Sequence, residues 1–144
     1  MDLLERLRDR GWRLTAQRRA VADVLRGEHI HYTAESVLER ARLQLPELSL
    51  ATVYNTLNEL VEMGEISEVN AGEGPKRYDP NVTETHQHLR CVRCNELLDV
   101  RPTGQVTLSA AEQRGYEIIA VDVVFNGLCP QCRAKDDEVS RTAG

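Results

Sequence analysis

No apolar run in the chain approaches the roughly 18 residues that a membrane span needs. The start, Met1-Asp2-Leu3-Leu4-Glu5-Arg6, lacks a signal-peptide pattern. Both absences lead us to expect a cytoplasmic protein with no membrane partner. No cysteine lies outside two CxxC pairs, Cys91-Val92-Arg93-Cys94 and Cys129-Pro130-Gln131-Cys132. In a reducing compartment such pairs are thiolate ligands rather than disulfides. Internal repeats and low-complexity blocks are also missing. Lysine is scarce, with only Lys76 and Lys135 among 18 basic residues; this arginine bias points to a genome rich in G and C and says little about function. Neither His-x-Glu nor Pro-Cys-x-x-Cys occurs, so the zinc deaminase signature is absent and an enzyme is not expected.

What is present begins with metal chemistry. A two-residue spacer lets both thiolates of each CxxC pair reach one ion, and four thiolates leave no open position on tetrahedral Zn²⁺. Cys91, Cys94, Cys129 and Cys132 are therefore read as a structural zinc site. The rival is a thioredoxin-like dithiol at Cys-Pro-Gln-Cys, disfavoured because that motif opens a helix in a βαβ unit, whereas here it follows a strand and enters a charged tail. A further set of donors, His29, His31, Asp79, Glu84, His86, His88 and Asp99, offers nitrogen and oxygen without sulfur. Such a set suits Fe²⁺, Mn²⁺, Ni²⁺ or Zn²⁺. In His86-Gln87-His88, alternate residues of a strand point to one face, so both imidazoles can reach one ion. The competing reading is a surface histidine pair.

A chain of 144 residues allows one medium domain or two small ones. Its net charge of −5 argues mildly against nucleic acid, but Arg6, Arg8, Arg10, Arg13, Arg18 and Arg19 concentrate positive charge near the start, and a local basic patch binds phosphate regardless of the total. The first half reads as helices: a short amphipathic start at Leu3, Leu4 and Leu7, then segments capped by Thr15, Thr33 and Ser49. Their apolar faces carry Val21, Val24 and Leu25, then Val37, Leu38 and Ala41, then Val53, Leu57, Leu60 and Val61. We expect them to end near Gly27, Leu45 and Gly64. Ile66 to Val69 and Arg77-Tyr78, around Gly72-Glu73-Gly74-Pro75, form a hairpin. Helices followed by a small hairpin describe a winged helix-turn-helix. The helix from Ser49 would enter the major groove with Ala51, Thr52, Tyr54, Asn55 and Asn58. We assign Tyr54 to a base or thymine-methyl contact, with helix packing as the alternative. Arg13 is assigned to the minor groove or phosphate, and Arg18 and Asn55 to the backbone.

From Pro80 the composition shifts. His88 to Cys91 and Leu97 to Val100 read as strands, Val106 to Arg114 as a helix, and Glu117 to Phe125 as the most strand-like run. The polar tail, residues 134–144, is expected to be disordered.

Arg13-Leu14-Thr15-Ala16-Gln17-Arg18, the helix Ser49 to Leu57, the run His86 to Cys94 and the closing Cys129/Cys132 pair together resemble the ferric uptake regulator family over nearly the whole chain. The resemblance implies an α+β, homodimeric, metal-responsive transcription factor. A winged-helix DNA-binding domain would span residues 1–79, a hinge 80–85, and an α/β dimerisation and metal-binding domain 86–133. It also implies a palindromic double-stranded operator. The peroxide-sensing branch uses three histidines and two aspartates, which carry over to His31, Asp79, His86, His88 and Asp99. The interval from Asp79 to His86 is slightly longer than the family's, leaving Glu84 as a possible substitute. Read this way, the protein is a repressor holding Fe²⁺ or Mn²⁺, with Zn²⁺ or Ni²⁺ as further candidates. Hydrogen peroxide would be its signal, through iron-catalysed oxidation of His31 or His86, and antioxidant genes such as catalase its targets. The alternative is an iron, zinc or nickel uptake regulator that senses the metal itself.

Overall fold

The computed structural model describes residues 2–27, 30–70, 74–82 and 85–142, without the side chains of 139–142. It divides into two compact units, Met1–Glu84 and Thr85–Gly144. Among the described residues no helix is long and apolar enough to cross a membrane.

The first unit packs four helices, α1 (Leu3–Asp9), α2 (Ala16–Val24), α3 (Ala34–Ala41) and α4 (Leu50–Glu62), beside a sheet of β1 (Tyr32–Thr33), β2 (Ser67–Val69) and β3 (Arg77–Asp79). Three of these helices start where a hydroxyl can cap them. Thr15 accepts the Arg18 amide at 3.2 Å, Thr33 the Ser36 amide at 3.1 Å and Ser49 the Thr52 amide at 3.2 Å. Each such cap is worth about 1 kcal/mol. Val53, Leu57 and Leu60 recur at helical spacing on α4 and are fully buried against Leu7, Val21, Leu25 and Val37. The opposite face of α4 leaves Ala51, Tyr54, Asn55 and Asn58 exposed. Beyond α4, Gly64 takes φ +75°, a left-handed value that glycine adopts without strain, so the chain turns sharply into the sheet.

That sheet is antiparallel, in the order β1-β3-β2, with Tyr32 opposite Tyr78 and Glu68 also opposite Tyr78. The hairpin expected from the sequence is β2–β3; Gly72 and Glu73 of its turn lie outside the described residues. Helices plus this small sheet form a winged helix-turn-helix-like unit. Two helices end earlier than expected. α2 stops at Val24, before Gly27, and the stretch from α3 to Leu45 continues as tight turns rather than as α-helix.

Glu65 ties α1 to the exit of α4. Arg6 Nε donates to one carboxylate oxygen at 2.9 Å and Arg10 Nη1 to the other at 2.9 Å. Burial raises the Glu65 carboxyl, but the two arginines more than offset this and hold it below its ordinary range. A carboxylate depressed on folding contributes stability above its unfolded value, and loses it as pH falls through the folded one. Glu65→Ala should therefore destabilise this unit by about 1–3 kcal/mol at neutral pH. Urea melts of variant and wild type should converge as the medium is acidified below the carboxylate range.

The second unit carries β4 (Gln87–Cys91), β5 (Leu97–Val100), α5 (Ala110–Gln113), β6 (Val124–Gly127) and α6 (Pro130–Thr142). Its sheet runs β5-β4-β6, antiparallel between β4 and β5 and parallel between β4 and β6. Three expectations are corrected here. The helix expected from Val106 is only the single turn Ala110–Gln113, capped by Ser109; Val106 and Leu108 are 65% and 55% exposed, and a helix with no buried face lacks the packing that sustains it. The strand expected from Glu117 begins only at Val124, because residues 116–122 have no ladder partner among the described residues. The tail expected to be disordered instead continues α6 to Thr142. Pro130 supplies a favourable first helical residue, and Arg93 forms an ion pair with Asp136. Residues 143–144 lie outside the description.

Candidate metal centres and reading helix

The thiolate site grows out of two local structures. β4 ends at Cys91, where the Asn95 amide donates to the Cys91 carbonyl at 2.9 Å and Asn95 takes φ 65°, turning the chain back into β5. β6 leads to Cys129, and α6 places Cys132 in its first turn. The four sulfurs lie within 4.8 Å of one another. Backbone amides of Cys129 and Cys94 pull the Cys91 thiol down to about 6, whereas the neighbouring Cys129 sulfur and burial push Cys132 up to about 12. Crowded thiols in this state cannot all ionise without a cation among them. A divalent ion removes the conflict, and four sulfurs at this separation fit tetrahedral Zn²⁺ with every position filled. Contrary to expectation, Cys-Pro-Gln-Cys does open a helix. The dithiol reading fails on other grounds: Cys91 and Cys94 complete a four-sulfur cluster around the pair.

The nitrogen and oxygen donors follow from strand register. In the first unit, Tyr32 opposite Tyr78 continues one step to His31 opposite Asp79, so the two side chains meet at the end of the β1–β3 ladder. His31 Nε2 and Asp79 Oδ2 are 3.4 Å apart. Asp79 is fully buried, and its other oxygen accepts the Asn81 amide at 2.8 Å.

In the second unit, His86 and His88 lie two residues apart, and His88 stands opposite Asp99 in the β4–β5 ladder. Both Nε2 atoms approach the same Asp99 oxygen, at 3.4 and 3.5 Å, with the two rings edge to face at 4.9 Å. Donor separations of this size match the edge of a tetrahedron with ~2.1 Å metal–ligand bonds, about 3.4 Å. Two histidines and one carboxylate are a donor set able to hold a divalent ion, and they are chemically distinct from the thiolates.

Of the other candidate donors, His29 and Glu84 lie outside the described residues. Gln87, passed over in the sequence as a spacer, has a structural role. Its side-chain amide donates to the Val121 carbonyl at 3.3 Å and its oxygen accepts the Val123 amide at 2.7 Å. Gln87 thereby tethers the unpaired residues before β6 to the strand that carries both histidines. Arg90 does the same for the knuckle, donating to Asn95 at 2.9 Å and Asn126 at 3.1 Å. The one sequence signal was their position between ligands on β4.

On α4, Tyr54 and Asn55 are exposed, and Thr52 shares a 2.9 Å hydroxyl hydrogen bond with Ser49. Arg13 is exposed. Arg18, expected at phosphate, is committed elsewhere. Its guanidinium donates to both Glu59 oxygens, at 2.9 and 3.0 Å, and stacks over Trp12 at 4.4 Å. Trp12 Nε1 also donates to Glu59, at 2.9 Å. The trio braces α4 from behind.

The structure joins, in one chain, a winged-helix-like unit and a β-rich unit, with sulfur and nitrogen–oxygen donor sets able to hold metal ions: the class is a metal-binding winged-helix protein. The chain matches the ferric uptake regulator family over residues 9–126. It belongs to that family of metal-responsive transcriptional regulators. It is 31% identical over 138 residues, covering 94% of each chain, to the Peroxide operon regulator of Bacillus subtilis. It is also 31% identical over 139 residues, covering 92% of this chain and 93% of the other, to the Ferric uptake regulation protein of Synechococcus elongatus. Among solved structures, the Helicobacter pylori ferric uptake regulator superposes with TM-score 0.68 at 23% identity over 91% of each chain. A zinc-bound manganese uptake regulator gives 0.68 at 25%, over 90% of this chain and 99% of the other.

Proposed function

We propose that the protein is a homodimeric repressor whose signal is the occupancy of a site made by His31, Asp79, His86, His88 and Asp99 with a divalent ion. The observation that carries this reading is that each unit holds a preformed but incomplete donor set, His31 with Asp79 and His86 with His88 and Asp99. Two donors cannot hold an ion selectively, and three leave positions open. Five would complete a cage whose closure links the unit bearing α4 to the unit that pairs with a second copy. A metal that binds only the closed form shifts the population toward it by its differential affinity. In that form two α4 helices would meet successive half-sites of a palindromic double-stranded DNA operator. Residues 106–125 supply a surface for the second copy: Tyr116 and Ile119 are 73% and 93% exposed, with Ile118, Val121 and Phe125 also open. Tyr54, Asn55 and Thr52 would read or touch the DNA and Arg13 its backbone, while Arg18 supports α4. The cage donors suit Fe²⁺, Mn²⁺, Zn²⁺ or Ni²⁺, and zinc occupies the thiolates.

A second reading, peroxide sensing, is favoured by two aspartates in the donor set and by the likeness to the Bacillus subtilis regulator. Iron held by these residues would supply cleavage of the peroxide O–O bond; His31 or His86 would gain one oxygen atom and the other would leave as water.

The test is duplex binding by the full chain with Mn²⁺, Fe²⁺, Zn²⁺ and Ni²⁺ in turn, each with and without peroxide, on a duplex selected from a random library. We expect metal-dependent binding that falls steeply between about 50 and 200 mM salt. Binding indifferent to every ion contradicts the proposal. Under metal sensing, the intact mass of the Fe²⁺ form is unchanged by peroxide. Under peroxide sensing it rises by one oxygen, and Asp99→Glu abolishes the rise while keeping metal-dependent DNA binding.

A further inference from the structure

Tyr54 is not free on the exposed face of α4. Its hydroxyl donates to Glu35 Oε1 at 3.4 Å. Glu35 stands in the first turn of α3, two residues after the Thr33 cap, where the helix dipole favours a carboxylate. No Lys or Arg among the described residues pairs with Glu35, and Tyr54 is its one hydrogen-bond partner among them. Glu68, a half-buried acid on β2, is instead offset by Lys76 at 3.4 Å. An uncompensated carboxylate beside a helix that would approach DNA phosphates costs binding energy wherever it meets only backbone.

Two gains follow from its chemistry. A tyrosine on an exposed helix face samples several rotamers, and ordering it on DNA costs conformational entropy. An acceptor on a neighbouring, capped helix biases the ring toward one orientation beforehand. A carboxylate also cannot follow phosphates, so it weakens binding to duplexes whose base edges do not fit, while leaving a matched site in which Tyr54 finds its base contact.

We propose that Glu35 is a positioning residue for Tyr54 and thereby sets the sequence discrimination of the reading helix. The inference rests on α4 being the DNA-reading helix. Glu35 comes four residues after His31, with only Tyr32 and Thr33 of β1 and Ala34 at the start of α3 between them. The acceptor therefore belongs to the same short segment as one half of the proposed metal cage, within a single unit.

The experiment measures fluorescence anisotropy of the Mn²⁺-loaded full chain on the selected duplex and on a scrambled duplex of equal length. It compares wild type with Glu35→Ala, Glu35→Gln, Tyr54→Phe and the double variant Glu35→Ala/Tyr54→Phe. Glu35→Ala and Tyr54→Phe should each lower the ratio of selected to scrambled affinity about tenfold. The double variant should be no worse than Glu35→Ala alone, because the contact with Tyr54 is then already lost. Glu35→Gln, which keeps an acceptor, should restore most of the ratio for the selected duplex and bind the scrambled one more tightly than wild type does. A Glu35→Ala protein with wild-type discrimination overturns the proposal, as does an additive double variant or a Glu35→Gln protein no better than Glu35→Ala. Should wild type itself fail to distinguish any selected duplex from a scrambled one, the α4 reading falls, and Glu35 with it. That outcome shows in the wild-type curves before any variant is compared.

Discussion

Stripping the thiolate-bound metal, or replacing Cys91 with serine, should unfold the second unit while the first stays helical. Among the described residues of the second unit, the only buried apolar side chains are Cys91, Leu97 and Cys132, and two of these three are ligands. Such a unit has almost no core apart from its metal site. Zinc bound by four thiolates in small domains contributes roughly 10–16 kcal/mol, comparable to the stability of a whole domain. Removing it also releases the crossing that holds the sheet together, because Cys91 ends β4 and Cys129 follows β6. The Cys129 amide points at the Cys91 sulfur, at 3.4 Å. We expect loss of the strand signal in far-ultraviolet circular dichroism, with the helical signal largely kept. The first unit, with its continuous core from Leu3 to Tyr78, should melt at its own midpoint. The same treatment should abolish DNA binding, since His88 and Cys91 share one strand. A metal-stripped chain that kept the β4–β6 pairing in amide exchange would contradict this.

His86→Ala should leave the zinc in place and remove the second ion. His86 and His88 contribute their Nε2 atoms to one Asp99 oxygen, so losing either imidazole leaves an incomplete trio. Changing only an outer partner of a metal ligand costs 10–100-fold in affinity. Removing the ligand itself should therefore cost about 100-fold or more. By linkage, a metal that tightens DNA binding is itself held more tightly on DNA, typically by about 5–150-fold, and that increment should vanish in the variant. Titration calorimetry with Mn²⁺, with and without the selected duplex, reads both quantities. Asp99→Ala should behave alike. His31→Ala should weaken the ion while leaving the second unit's fold untouched, because His31 belongs to the first. A His86→Ala protein with wild-type Mn²⁺ affinity would remove this trio from the regulatory site.

The features legible in the sequence share a physical cause: each is set by residues close together along the chain. Thr15, Thr33 and Ser49 cap helices through amides three residues on, and the stripe on α4 shows itself by period alone. The two CxxC pairs and the alternate histidines are likewise local patterns. Illegible features depend on partners distant in sequence or absent from the chain. β1 is two residues long, and it exists because Tyr78 lies opposite Tyr32. Residues 116–122 have strand-forming side chains but no strand to pair with among the described residues. The partner of Arg18 is illegible for the same reason, since the sequence does not reveal that Glu59, a full helix away, accepts from it. α6 looked like a charged tail because its start depends on Pro130 and on the position of Cys129 and Cys132.

The most direct measurement is X-ray absorption at the manganese and zinc edges of the full chain loaded with both metals. The account predicts zinc surrounded by sulfur alone at about 2.3 Å, and manganese surrounded only by nitrogen and oxygen, with that shell lost in His86→Ala/Asp99→Ala while the zinc shell is unchanged. Sulfur around manganese, or imidazole nitrogen around zinc, would mean that the two donor sets are not separate sites, and the proposed division of labour between them would be wrong.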